Sequence, residues 1–176
     1  MLTIGYSDEG GAAVFRIIYT MKELSFGKLM DVYEQSNCGR YPNLPVHQAL
    51  IQAEQEQYDY LRNVFFQIPC AVICVLQEAG RYVSAVRVEP YRDGMLLTAL
   101  ETMPECRNRG YAVKLLTEVQ LWQEQQGDVV LYSHIDHENA ASIAVHKKCG
   151  FVKISDTAAY LDGSVSCRAG TYRYIR

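Results

Sequence analysis

From Met95 to Trp122 the chain passes from an apolar run, through a polar loop, into a helical repeat. Met95 to Leu100 has the apolar density of a strand. Ala112, Leu115, Leu116, Val119 and Trp122 then recur at i, i+3, i+4, i+7 spacing, which puts them on one face of a helix. The loop between, Met103-Pro-Glu-Cys-Arg-Asn-Arg-Gly-Tyr-Ala112, joins a strand end to a helix start. Backbone N–H groups at a helix start have no intrahelical acceptor, and the helix dipole adds partial positive charge there. Arg107 and Arg109 add fixed charge with planar donors that match a phosphate, and Gly110 has no Cβ to hold a phosphate off the main chain. An anion such as a pyrophosphate fits this stretch.

Around it the sequence alternates strand and helix signals. Phe15 to Tyr19 reads as a first strand after a Gly-rich opening at Gly10 and Gly11. Ser25 is placed to cap a helix carrying Leu29, Met30 and Tyr33 and ending near Asn37 to Gly39, and Tyr41-Pro-Asn-Leu-Pro45 breaks the pattern. Val46, Leu50, Ala53, Tyr60, Leu61 and Val64 mark a long amphipathic helix over Val46 to Phe66. Ala71 to Leu76 and Tyr82 to Val88 read as a hairpin turned at Glu78-Ala-Gly-Arg81, and Arg92-Asp-Gly94 leads into the Met95 strand. After the helix stops around Gln126-Gly127, Val129 to Ile135 is a strand, and Asn139 begins a short helix that ends at Gly150. Val152 to Tyr160 and Arg168 to Ile175 close the chain as a hairpin through Asp162-Gly163. The order β, α, α, β, β, β, α, β, α, β, β, without repeat or linker, predicts one mixed α/β or α+β domain over 1–176.

Composition narrows the class. The chain is 49% hydrophobic and 21% charged with a net charge of -3, which suits a globular core and gives no general attraction for nucleic acid or an anionic membrane. Arg168, Arg173 and Arg176 read as a solvated edge. No apolar run approaches the roughly 20 residues of a membrane span. The six cysteines contain no Cys-x-x-Cys pair, and no signal-like block opens the chain, so free thiols in the cytoplasm are expected. Cys70 and Cys74, four apart in an apolar run, are expected as core thiols on one face of a strand. There is no Gly-x-Gly-x-x-Gly after the first strand and no Gly-x-x-x-x-Gly-Lys-Ser/Thr, which disfavours dinucleotide and P-loop folds.

Arg107-x-x-Gly110-x-Ala112 alone is a short pattern. A second signal follows the next strand: Asn139-Ala-Ala-Ser142-Ile-Ala-Val-His146-Lys-Lys-Cys-Gly150-Phe151. Together, in this order and on these elements, they resemble the GNAT superfamily of acetyl-CoA-dependent N-acetyltransferases. The first motif is similar to that family's Arg/Gln-x-x-Gly-x-Gly/Ala pyrophosphate loop, with Pro104 three residues ahead of the arginine. The second is similar to its Asn-x-x-Ala/Ser-x-x-x-Tyr-x-x-x-Gly-Phe helix. The resemblance runs from about residue 70 to 155. Residues 20–69, which in the family shape the acceptor site, carry no matching motif.

The resemblance implies a mostly antiparallel central sheet of about six to seven strands, flanked by helices and splayed between the fourth and fifth strands. It implies that Arg107, Asn108, Arg109, Gly110, Tyr111 and Ala112 hold the coenzyme A pyrophosphate. Leu100, Glu101 and Thr102 would pair with the pantetheine arm and polarise the thioester carbonyl. Asn139, with Ser142 on the same helix, would contact the pantetheine from the far side of the splay. It further implies acetyl transfer to a primary amine of a small molecule or peptide in a direct ternary complex, with acetyl-CoA as cosubstrate and no metal. A monomer or homodimer is expected, since terminal hairpins offer edges that can pair between subunits.

Such a reaction needs a base to deprotonate the ammonium form of the acceptor and an acid for the departing thiolate. His146 stands where the family pattern has Tyr. An imidazole, with an unperturbed pKa of about 6.5, can serve as the acid; the other reading is a helix residue packed beside Phe151. Glu101 is a candidate base, directly or through water, and His134 at the splay is another. His134-Ile-Asp-His137 has no third ligand at helical or hairpin spacing, so no zinc site is expected. Tyr111 is read as packing or an adenine-side contact, and Trp122 as a core anchor. The non-enzymatic alternative, motivated by the missing Tyr, is an acyl-CoA-binding regulatory or interaction module.

Overall fold

The computed structural model describes residues 12–127 and 129–176; the Gly10-Gly11 opening lies outside them. In chain order the elements are β1 (Val14–Ile18), α1 (Phe26–Arg40), α2 (Val46–Asn63), a 3-10 turn (Phe65–Gln67), β2 (Val72–Glu78), β3 (Arg81–Tyr91), β4 (Gly94–Thr102), a second 3-10 turn (Pro104–Cys106), α3 (Tyr111–Glu124), β5 (Val130–Asp136), α4 (Ala140–Lys148), β6 (Val152–Ser155), β7 (Ala158–Ala159), β8 (Val165–Ser166) and β9 (Ala169–Ile175). The main sheet has seven strands in the order β1-β2-β3-β4-β5-β9-β6. All neighbours in it are antiparallel except β4 and β5.

Val72 to Leu76 in β2 are buried without alternation, so both faces of the sheet are covered there. Helix α1 packs on β3 and β4, and α3 on β2, β3 and β4. Leu29, Val32, Leu61, Phe65, Leu115, Leu116 and Val119 complete the core against the strands. Trp122 is partly buried against it. Ser25 does sit at the start of α1, but its side chain makes no cap; its carbonyl accepts from Leu29 N–H at 3.1 Å. On α2 the buried line is Ala49, Ala53 and Leu61. Val46 (64% exposed) and Val64 (49%), at the helix ends, lie outside it.

Two irregularities in β4 shape the molecule. Its first residue, Gly94, passes so close to β5 that a Cβ would fall 2.0 Å from the Val130 carbonyl oxygen, so no side chain fits there. Further on, Ala85 faces Glu101 while Arg87 faces Thr98, which leaves Ala99 and Leu100 as a bulge, with Ala99 at φ 51°. The parallel ladder covers Met95 with Leu131, Leu96 with Tyr132 and Leu97 with Ser133, and then ends. From Thr98 onward the β5 side of β4 is free of strand partners. This is the splay.

Two expectations need correction. The closing pair of strands is not one simple hairpin. β6 and β9 do pair antiparallel, but β9 lies between β5 and β6, and the Asp162-Gly163 turn belongs to a separate two-stranded ladder of β7 and β8. The break follows Ser155, whose Oγ accepts from Thr157 N–H at 3.1 Å and ends the strand. Cys70 and Cys74 do not share a strand face: Cys74 is fully buried in β2, whereas Cys70 is exposed before the strand, at φ 65°.

Candidate active site

The loop after β4 is fixed at both ends. Met103 N–H donates to Val83 O at 3.0 Å, and Cys106 N–H to Met103 O at 2.8 Å. Asn108 (φ 60°) and Gly110 (φ 83°) then adopt the left-handed conformation with Arg109 between them, a shape that turns successive amides inward. The first helical bond of α3 runs from Lys114 N–H to Gly110 O, at 2.9 Å, so the amides of 111–113 precede any intrahelical acceptor. A Cβ added to Gly110 would meet nothing within 4 Å; the space above it is open. Amides aimed at open space from a helix N-terminus suit an anion.

The two loop arginines differ. Arg107 Nε donates to Thr102 O at 3.1 Å, and its NH1 donates to Gln35 on α1, so this side chain ties the loop to β4 and α1. Arg109 lies over the Tyr111 ring, 5.1 Å from its centroid, with Glu78 4.0 Å away. Tyr111 is buried, and its hydroxyl donates to the Glu78 carboxylate at 2.7 Å.

Between β4, the loop, α3 and α4 runs a cleft of about 490 Å³. Leu100, Glu101, Thr102, Arg107, Asn108, Gly110, Tyr111, Ala112, Asn139 and Ser142 line it, so the structure brings together every residue the sequence suggests for the coenzyme except Arg109. Cys106, Val113, Ala141 and Val145 line it as well. Val113, Ala141 and Val145 escape sequence reading because an apolar helix position reads as core whether it faces core or cleft, and Cys106 sits in the turn ahead of the motif. The cleft suits coenzyme A: unpaired strand backbone and apolar side chains at one end, free amides at the other. At the start of α4 the Asn139 side-chain oxygen accepts from Ser142 N–H at 3.0 Å, which caps the helix and leaves the amide nitrogen as a donor.

Of the three candidates for proton transfer, only Glu101 lines the cleft. It is half-buried. Burial pushes its carboxyl above the usual carboxylate range, against smaller downward pulls from a Ser36 hydrogen bond and from Arg107. The Glu101 carbonyl accepts from Ser84 Oγ at 2.7 Å, which anchors the strand beyond the bulge. His146 is 1% exposed, and its ring meets Phe151 edge-on at 5.0 Å. Its Nδ1 lies 2.8 Å from Ser142 O; since a carbonyl only accepts, Nδ1 carries the proton, and the buried Nε2 is an acceptor without a protein partner. Burial lowers the pKa of this imidazole, with the Ser142 bond opposing.

His134 lies just past the last β4–β5 pair, with its ring edge-on to Tyr91 at 5.3 Å and to Tyr160 at 5.0 Å. Burial, and then the charge of Arg92, lower its pKa, and neither ring nitrogen has a protein partner. His137 Nε2 lies 3.0 Å from Asp156 O. Among the described residues no three His, Cys, Asp or Glu side chains converge as metal ligands.

A mostly antiparallel sheet splayed between β4 and β5, with a turn of free amides beside the splay, is the frame on which the comparisons with known proteins bear. The chain belongs to the acetyltransferase (GNAT) family, whose model matches residues 31–151. The family makes it an acyltransferase. No curated protein sequence matches the chain significantly. Among solved structures it is similar to the PaiA N-acetyltransferase of Thermoplasma acidophilum in complex with coenzyme A, with a TM-score of 0.64 at 11% identity, covering 93% of this chain and 99% of that one. It is also similar to an aminoglycoside 6'-acetyltransferase type Ii, with a TM-score of 0.63 at 11% identity over 92% and 96% of the two chains. A third likeness is the ribosomal-protein-alanine N-acetyltransferase of Brucella melitensis, with a TM-score of 0.57 at 19% identity over 93% and 99%. At these identities the likeness is one of fold.

Proposed function

We propose that the chain acts as a single domain over 1–176, in the cytoplasm, as an N-acetyltransferase using acetyl-CoA and a primary amine in a direct ternary complex. The observation that carries this reading is the convergence of Leu100 to Thr102, Asn108, Gly110 to Ala112, Asn139 and Ser142 on one cleft beside the β4–β5 splay. The coenzyme seen in the Thermoplasma neighbour supports it.

In this reading the amides from Asn108 onward and the N-terminus of α3 hold the pyrophosphate, and Asn139 donates its amide to the pantetheine arm. Bound acetyl-CoA supplies an activated acetyl group. Around the bulge, β4 offers donors to the carbonyl oxygen and so stabilises developing negative charge. Holding the amine against this edge removes the entropic cost of encounter. Glu101 takes the ammonium proton, directly or through water, because it lines the cleft and burial raises its affinity for a proton. As the N–C bond forms the C–S bond breaks, and the thiolate takes up a proton. His146 braces the first turn of α4 through Ser142.

The second reading is an acyl-CoA-binding module without turnover, favoured by the burial of His146 where the family pattern has Tyr. A panel of primary amines incubated with acetyl-CoA and assayed for thiol release separates the two. Acetylated product with any amine supports the enzyme. Tight acetyl-CoA binding with no thiol release supports the module.

A further inference from the structure

One face of the sheet carries polar groups that the coenzyme cleft does not use. On β3, Arg87 stands opposite Thr98 of β4. Thr98 and His134 are the first residues past the last parallel pair, so they flank the mouth of the splay, on the sheet face of Leu96 and Tyr132. Arg87 Nε, Thr98 Oγ1 and both ring nitrogens of His134 are shielded from solvent and have no hydrogen-bond partner in the protein. Buried polar atoms are nearly always paired, so three neighbouring residues left open at one place point to a ligand.

Arg87 is the key to its chemistry. Its guanidinium lies over the rings of Tyr60, at 5.1 Å, and Phe65, at 5.8 Å, cushioned by α2 and the turn that follows. Among the described residues no carboxylate comes within ion-pair distance of it. Glu101 faces Ala85, and Glu89 lies two residues beyond Arg87, so along this face the charges run Glu101, Arg87, Glu89 with the cation in the middle. A zwitterion matches such a row: its anion on the guanidinium, its ammonium toward a carboxylate.

We infer that this face is the acceptor subsite and that the acceptor is a small primary amine bearing a carboxylate or phosphate. Arg87 and Thr98 hold the anion, and the amine meets the splay between Glu101 and His134. The inference rests on the acetyl-transfer reading for its amine and on Arg87 for its anion. Arg87 and His134 stand on strands two apart, on the order of 10 Å, and the reach of the arginine shortens the gap, which fits a small molecule. The rings of Tyr91 and Tyr160 around His134 wall its far side.

The test compares matched ligands. N-acetyl amino acids, as product-like probes, are titrated by calorimetry into the protein loaded with coenzyme A, beside their carboxamides and N-acetyl aminoalkyl phosphates. The expectation is at least about tenfold tighter binding of an anionic probe than of its carboxamide, and the carboxylate and phosphate arms tell which anion is preferred. This comparison needs no variant. Arg87→Met should abolish the preference and Arg87→Lys restore part of it, with coenzyme affinity unchanged in both. Equal binding of acid and amide, or no binding of any probe, overturns the inference, whether or not amines turn over. Turnover of uncharged amines alone would leave the acetyl-transfer reading standing and remove this one.

Discussion

As the proposed base, Glu101 joins the chemistry to the fold through a single side chain. It lines the cleft, sits past a bulge, and binds its proton more tightly than an ordinary carboxylate because it is partly buried. As a base it works when ionised, so turnover should fall as pH drops through its raised range. Glu101→Gln should lower kcat by about 100-fold or more, leave the KM for acetyl-CoA nearly unchanged and remove the acidic limb of the pH–rate profile. A variant with unchanged kcat at every pH would move the base to His134. His146 is expected to behave differently. Its burial against Phe151 predicts that His146→Ala loses roughly 2–5 kcal/mol of stability while turnover per folded molecule persists, measured by denaturant titration alongside thiol release. A collapse of turnover with intact coenzyme binding and stability would make it the thiolate's acid instead.

At the scale of elements, the β4 bulge is the device on which the site depends. The Tyr33 hydroxyl of α1 donates to the Ala99 carbonyl at 2.7 Å, inside the bulge, and burial pushes that phenol's pKa far up, so it stays a donor. Tyr33→Phe leaves a buried carbonyl unpaired; chemical denaturation should show a loss of about 1–3 kcal/mol, with kcat reduced and coenzyme affinity kept. No change in either would mean that the bulge holds itself. The motif loops were legible in the sequence because their geometry is local: Asn108 and Gly110 take left-handed turns, and Asn139 caps its own helix by accepting from Ser142 N–H. The bulge and the Arg87, Thr98 and His134 cluster were not, because they arise from register between strands, and Arg87 reads in isolation as one more charged residue in a β-branched run. The closing strands were misread for the same reason: alternation marks a strand but not its neighbour, and β9 inserts beside β5.

Across the whole molecule, buried His146 and half-buried His134 set a pH response. Burial lowers the pKa of both His134 and His146 in the folded state. Below the unfolded value of about 6.5 the unfolded chain takes up protons that the folded chain refuses, so both contribute stability above that pH and lose it as the pH falls through their lowered values. Glu101 and Glu89, with raised values, act in the opposite sense at lower pH. Comparing variants cancels that background: His146→Leu should flatten the dependence of melting temperature on pH below about 6.5 relative to wild type. Parallel curves would show that this ring is no less willing to take a proton when folded.

The central claim is that the turn of Asn108 to Ala112 holds the pyrophosphate of acetyl-CoA, and calorimetric titration of acetyl-CoA into wild type and Gly110→Glu addresses it directly. The account predicts saturable one-to-one binding in the wild type. In the variant, whose carboxylate would project into the open space above the turn, affinity should fall by at least about 100-fold, close to 2.7 kcal/mol. No binding by the wild type at millimolar acetyl-CoA, or equal affinity in a folded Gly110→Glu, would contradict it.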